Sequence, residues 1–178
     1  MSRIVRKTRE TEIAVELGGG VVETAIDTTV PFLDHMLGTF AAYAGLRARI
    51  AARGDLRHHL VEDVAITLGE ALRRLTPAHC GRYGERTVPM DDALVQVAVD
   101  LGGRACYGGG LPSALYDHWM RSFADAGRLT LHVRVIRGRD RHHVVEAAFK
   151  ALGLALRSAL AEGDAVFSTK GAVSWEDG

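Results

Sequence analysis

The sequence predicts an α+β protein built from two copies of one half-domain, each a small, mostly antiparallel sheet with two helices packed on one face. Three observations carry that reading. First, His58-His59-Leu60-Val61-Glu62 recurs as His142-His143-Val144-Val145-Glu146, and each copy opens a run with helical apolar spacing. Second, the match extends on both sides of the histidine pairs. Asp34-His35-Met36 places a His 23 residues ahead of His58, and Asp117-His118-Trp119 places one 24 residues ahead of His142. Phe40 and Phe123 each follow that His by five residues, Gly54 and Gly138 each precede the pair by four, and Ala71-Leu72-Arg73 matches Ala155-Leu156-Arg157. Third, the order strand, helix, strand, helix is legible in both halves. The repeats are assigned to residues 1–84 and 85–178, the second also carrying a C-terminal loop.

Each element has its own signal. Residues 3–17 mix charge with Ile4, Val5, Ile13 and Val15 and read as a strand. Gly18-Gly19-Gly20 reads as a turn, so residues 21–30 are expected to return as a hairpin partner. Pro31 suits the first turn of a helix over 32–43 that carries Phe32, Leu33, Met36, Leu37, Phe40 and Tyr43 and stops near Gly45. A strand over 46–52 and a helix from about His58 to Leu75, closed by Pro77, complete the first half. Residues 81–92 are rich in Gly, Arg and Asp and read as a loop. An alternating strand over 95–101, a helix over 113–126, a strand over 129–136 and an amphipathic helix over 142–161 follow.

Bulk properties exclude several classes. The 178 residues carry 22 basic and 22 acidic side chains, so nothing draws the chain generally to nucleic acid or to an anionic membrane. No apolar run approaches membrane-spanning length, and Met-Ser-Arg-Ile-Val-Arg-Lys lacks a signal-peptide core. Cys80 and Cys106 stand apart without C-x-x-C spacing, which suits free thiols in a reducing cytoplasm.

The histidines point to metal. On a helix, residues four apart share a face, so His58 lies with Glu62 and His142 with Glu146. The second His of each pair turns away by roughly 100°. Each helix therefore offers a His/carboxylate pair to one ion and an imidazole to another. The expected division gives one ion His58, Glu62, His143 and either His35 or His118; the other takes His142, Glu146, His59 and the remaining His. Imidazoles with one carboxylate suit Mn²⁺, Fe²⁺, Co²⁺ or Zn²⁺, and the absence of Cys from the set disfavours a closed structural zinc site. The bland alternative is two His-rich helix starts alike by chance. Arg82 and Arg104 sit beside glycines, where a guanidinium can reach an anion, although solvated loop arginines fit as well. Glu10 reads on its own as an exposed strand carboxylate. Ser168-Thr169-Lys170-Gly171 reads equally as an anion-contacting loop or a plain turn.

Across nearly the whole chain these motifs resemble one family. They are R-x-T-x-E-T at 6–11, F-x-D-H-M-L at 32–37, H-H-x-V-E-D at 58–63, R-Y-G and P-M-D-D-A-L within 82–94, D-L-G-G-R at 100–104, R-S-F-A at 121–124, H-V-R-V at 132–135, H-H-x-x-E-A-x-F-K-A at 142–151 and S-T-K-G at 168–171. The chain resembles the imidazoleglycerol-phosphate dehydratases. The resemblance implies a two-manganese lyase that converts D-erythro-imidazole-glycerol phosphate to imidazole-acetol phosphate in histidine biosynthesis, with other first-row divalent metals as substitutes. It implies His35, His58, His59, Glu62, His118, His142, His143 and Glu146 as metal ligands. Catalytic roles fall to Glu10, as acid or base, and to His35, His59 and Glu146. Substrate contacts fall to Glu10, Arg82, Arg104, Ser168 and Lys170, the last four on phosphate. It also implies a cytoplasmic shell of 24 subunits with sites between subunits. One departure stands out: between Gly54-Asp55-Leu56 and His58 the family carries a few more residues, including an Asp, and here only Arg57 remains. Two other classes compete: a di-metal hydrolase using the same ligands, and a non-catalytic metal-binding assembly protein of the same fold.

Overall fold

The structure is a computed structural model and describes residues 1–20 and 23–163. The first half runs β1 (Ser2–Lys7), β2 (Thr11–Gly18), β3 (Thr24–Asp27), α1 (Pro31–Ala44), β4 (Arg47–Gly54) and α2 (Arg57–Leu75). The second runs β5 (Tyr83–Met90), β6 (Ala93–Asp100), β7 (Cys106–Gly108), α3 (Ala114–Gly127), β8 (Thr130–Arg137) and α4 (Arg141–Ala159). The sheets have the same strand order, β1-β2-β4-β3 and β5-β6-β8-β7. In each, two pairings are antiparallel and the edge pairing, β3 with β4 or β7 with β8, is parallel. The duplicated α+β architecture is as the sequence predicts.

Three local expectations need correction. Residues 3–17 form two strands, because Thr8-Arg9-Glu10 turns the chain and the Thr8 amide donates to the Thr11 carbonyl at 2.9 Å. The described residues after the triple glycine, 23–30, do not pair back on β2. Their strand, β3, lies parallel to β4 at the sheet edge, with α1 as the crossover. Residues 83–90 are not a loop but the edge strand β5. Only Val88 of that strand is buried, so the alternating apolar signal is missing. Gly84 stands where the backbone of α4 closes on it: an added Cβ would lie 1.9 Å from the Ala155 carbonyl oxygen. The short β7 was not foreseen.

The helices fill the space between the two sheets and exchange partners across the halves: α2 packs on α3, and α1 on α4. One apolar cluster runs through both halves, from Ile13, Val15 and Leu17 to Val95, Val97 and Leu131, with Phe40, Trp119, Phe123 and Phe149 fully buried. Matching glycines permit the helix crossings. A Cβ on Gly69 of α2 would lie 2.5 Å from the Phe123 carbonyl oxygen, and one on Gly153 of α4 would lie 2.7 Å from that of Phe40. The repeated Asp-His pairs also have a structural cause. Asp34 accepts from the Thr28 amide at 2.8 Å and its hydroxyl at 2.6 Å; Asp117 accepts from Tyr107 Oη at 2.5 Å and the Leu111 amide at 2.9 Å. Each Asp ties the incoming chain to its helix and thereby sets the position of the His that follows it.

Candidate metal and substrate site

The exchange of helices brings one His from each half onto the other half's His/Glu face. His118 of α3 places Nε2 3.2 Å from Glu62 Oε1, and His58 Nε2 lies 3.8 Å from Glu62 Oε2. His35 of α1 places Nε2 3.6 Å from Glu146 Oε2, and His142 Nε2 lies 3.2 Å from the same oxygen. In each trio the donor atoms lie within 4.8 Å of one another. His118 Nε2 is buried and makes no hydrogen bond among the described residues, as a donor atom aimed at an ion would be. Two imidazoles and a carboxylate match a borderline first-row cation and leave coordination positions for further ligands. Of the two arrangements left open for His35 and His118, the geometry groups His118 with His58 and Glu62, and His35 with His142 and Glu146. Phe32 packs beside the second group, its ring 5.1 Å from both Tyr116 and His142.

His59 and His143 join neither trio within the chain. His59 Nδ1 donates to Asp55 Oδ1 across 3.0 Å, and His143 Nδ1 donates to Asp92 Oδ1 across 2.7 Å. These bonds raise both imidazoles above their usual pKa, and each holds its carboxylate low. For Asp92 the amide of Arg139 contributes most, ahead of His143 and the Asp140 amide, and the pKa falls to about 2. His143 Nε2 in turn lies 3.3 Å from Asp91 Oδ2.

Glu10 lies on the turn between β1 and β2, not within a strand. Its carboxylate is exposed, takes no hydrogen bond among the described residues, and comes within 3.6 Å of His59 Nδ1. The turn itself is anchored. Asp63 of α2, nearly buried, accepts from Thr11 Oγ1 and ion-pairs with Arg6, and the Asp55 amide donates to the Glu10 carbonyl at 3.1 Å. Glu146, only 6% exposed, gives its other oxygen to Lys150 Nζ at 2.9 Å. Burial works to raise Glu146, but Lys150 and, after it, His35 together outweigh it and the pKa is lowered.

Arg82 and Arg104 are not brought to the histidine trios. Arg82 pairs with Asp100 at 2.6 Å and 3.0 Å at the far end of the β5–β6 hairpin from Asp92. That hairpin is roughly 25 Å long at the usual strand rise. Arg104 follows β6 at the same end, its carbonyl accepting from Thr130 Oγ1 at 3.1 Å. Ser168 and Lys170 lie outside the described residues. Sequence reasoning did not single out Asp55, Asp63, Asp92 or Lys150. Asp55 and Lys150 were findable, each four residues from a site side chain: Asp55 just ahead of the α2 cap, Lys150 on the same face of α4 as Glu146. Asp92 was not, since 51 residues separate it from His143.

A profile of the imidazoleglycerol-phosphate dehydratase family matches residues 28–156. The enzyme of that name from Pyrobaculum calidifontis is 49% identical, over 93% of this chain and 96% of its own length. The one from Pyrococcus furiosus is 46% identical over 93% and 98%. A crystal structure of the Pyrococcus furiosus protein superposes with a TM-score of 0.89 at 44% identity, covering 96% of this chain and all of that one. With the fold, the paired histidine trios and these relatives in agreement, the chain belongs to the imidazoleglycerol-phosphate dehydratases, a family of hydro-lyases.

Proposed function

We propose that the chain removes water from D-erythro-imidazole-glycerol phosphate to give imidazole-acetol phosphate, with two Mn²⁺ per subunit equivalent, in a cytoplasmic 24-subunit assembly. The observation that carries the metal reading is the pair of His₂Glu trios, each built across the two halves, with His59 and His143 held apart from them by Asp55 and by Asp91 and Asp92. We infer that the metal ligands are His35, His58, His59, Glu62, His118, His142, His143 and Glu146, and that the chain divides near residue 84 into two repeats that each supply part of both sites.

Mn²⁺ at these groups would supply Lewis acidity toward imidazole nitrogens. The rest falls to the chain. The carbon that loses its proton has no carbonyl to acidify it, so it needs a positioned base; Glu10 has an exposed carboxylate 3.6 Å from His59 Nδ1. His35 and Glu146 hold the imidazole-facing side of one group, and His59 presents Nε2 to another. Arg82 and Arg104, with Ser168 and Lys170, take the phosphate as bidentate or point-charge partners. Their distance from the trios in one chain fits a site assembled from neighbouring subunits. Two free cysteines, Cys80 and Cys106, suit a reducing compartment. Among the described residues no helix is long and apolar enough to cross a membrane.

The direct test is to incubate the assembled protein with Mn²⁺ and imidazole-glycerol phosphate and to follow imidazole-acetol phosphate. Product formation lost on chelation and restored by Mn²⁺ is expected. Release of inorganic phosphate would indicate the hydrolase, and absence of any turnover the non-catalytic assembly protein. Chelation should also lower the sedimentation coefficient, because ligands shared between subunits couple metal binding to association.

A further inference from the structure

We propose that the two metal groups are unequal and that Lys150 makes them so: the His58–Glu62–His118 group binds a divalent cation more tightly than the His35–His142–Glu146 group. This rests on the metal reading above and goes beyond it, since the repeat by itself implies two equivalent sites.

The difference lies in the carboxylates. Glu62 turns both oxygens to imidazoles, Oε1 to His118 and Oε2 to His58. No Lys or Arg contacts it among the described residues. Glu146 offers only Oε2 to His35 and His142, because Oε1 is held by Lys150. Lys150 is one helical turn beyond Glu146; at the matching place beyond Glu62 the chain has Ile66. The ammonium is itself held in place. It is 16% exposed, 3.2 Å from Met90 Sδ and 5.7 Å from the centre of the Tyr43 ring. Moving it into solvent would break these contacts and strand a buried carboxylate.

Two effects act in the same direction. A carboxylate with one oxygen engaged can ligate through a single atom, whereas Glu62 has both available. The donor set around Glu62 carries one negative charge, while Glu146 with Lys150 carries none, and the ammonium repels an incoming dication in a partly dry environment. Burial would strengthen the hold of Glu146 on a cation if its charge were uncompensated; Lys150 cancels that advantage.

The experiment is titration of the metal-free protein with Mn²⁺, free ion followed by electron paramagnetic resonance and heat by calorimetry. Two classes of site are expected, separated by roughly tenfold or more in Kd, about what one partly screened charge contributes. Glu62→Gln should remove the tight class and Glu146→Gln the weak one. Lys150→Met should draw the weak class toward the tight one, while Lys150→Arg, which keeps the charge, should preserve the gap. A single class in the unaltered protein, or a gap unchanged in folded Lys150→Met, overturns the inequality. The reverse assignment by the two glutamine variants does the same even if Lys150→Met fails to fold. Failure to bind Mn²⁺ at any site would overturn the metal reading itself, an outcome distinct from equal binding.

Discussion

The starts of α2 and α4 share the His-His-x-Val-Glu pattern but are held by different devices. At α4 a local cap and a distant carboxylate combine: Asp140 caps the helix by accepting from the His142 amide at 2.7 Å, and the turn of a distant hairpin supplies Asp92 for His143. At α2 the cap position is Leu56, with no side-chain cap, and the carboxylate on His59 comes from Asp55, four residues back. The place matching Asp55 in the second half is Arg139, and the place matching Asp63 is Ala147. The two hairpin turns differ as well. Asp92 is saturated by His143 and the amides of Arg139 and Asp140, whereas the Glu10 carboxylate in the matching turn accepts no hydrogen bond among the described residues and only approaches His59. One copy thus uses its hairpin carboxylate to hold the second imidazole of its helix. The other holds that imidazole with Asp55 and leaves the Glu10 carboxylate exposed, with Asp63 holding the turn.

The sharpest way to break this comparison is at the turns. Glu10→Gln should retain metal and assembly but lose turnover by roughly 10²–10⁴-fold, the usual range for a positioned acid or base. Asp92→Asn should instead lose Mn²⁺ affinity. Near-normal turnover in Glu10→Gln would reduce Glu10 to a surface carboxylate. Next in size, Asp63→Ala leaves Arg6 without its nearly buried partner and should cost about 3 kcal/mol, read as a lower denaturant midpoint at constant m value. If the midpoint holds, Asp63 does not anchor the turn.

The helix crossings test where the halves should behave alike. Gly69→Ala and Gly153→Ala each drive a Cβ into the facing helix backbone and should each destabilise by about 2 kcal/mol or more. A large effect in one and none in the other would show that the crossings are not equivalent. The smallest expected effect is at the caps. Asp140→Ala should cost about 1 kcal/mol and Leu56→Asp should add a similar amount, measured by thermal unfolding of the metal-free protein. No gain at position 56 would mean that the shortened connection from β4, not the missing cap, governs how α2 begins.

The sequence alone determined the duplication, the four helices and which histidine shares a face with which glutamate. These are local matters: a period of 3.6 residues, Pro31 at a helix start, a repeat offset that runs through glycines and apolar positions alike. It also led to the family, because many short motifs in order are jointly specific. Local pattern could not identify β5, whose inward face at Gly84 is filled by the backbone of α4 instead of by an apolar side chain. Nor could it show that β3 pairs parallel with β4, since pairing is a relation between distant segments. Only the tertiary structure decided that His118 belongs with Glu62 and His35 with Glu146, because those pairings follow from helices that cross between the halves. The same holds for Asp92 on His143. Lys150 was visible four residues from Glu146, but its hold on one carboxylate oxygen depends on Met90 and Tyr43, which arrive from β5 and α1. Side chains that act together through the fold leave no mark at any fixed spacing in the chain.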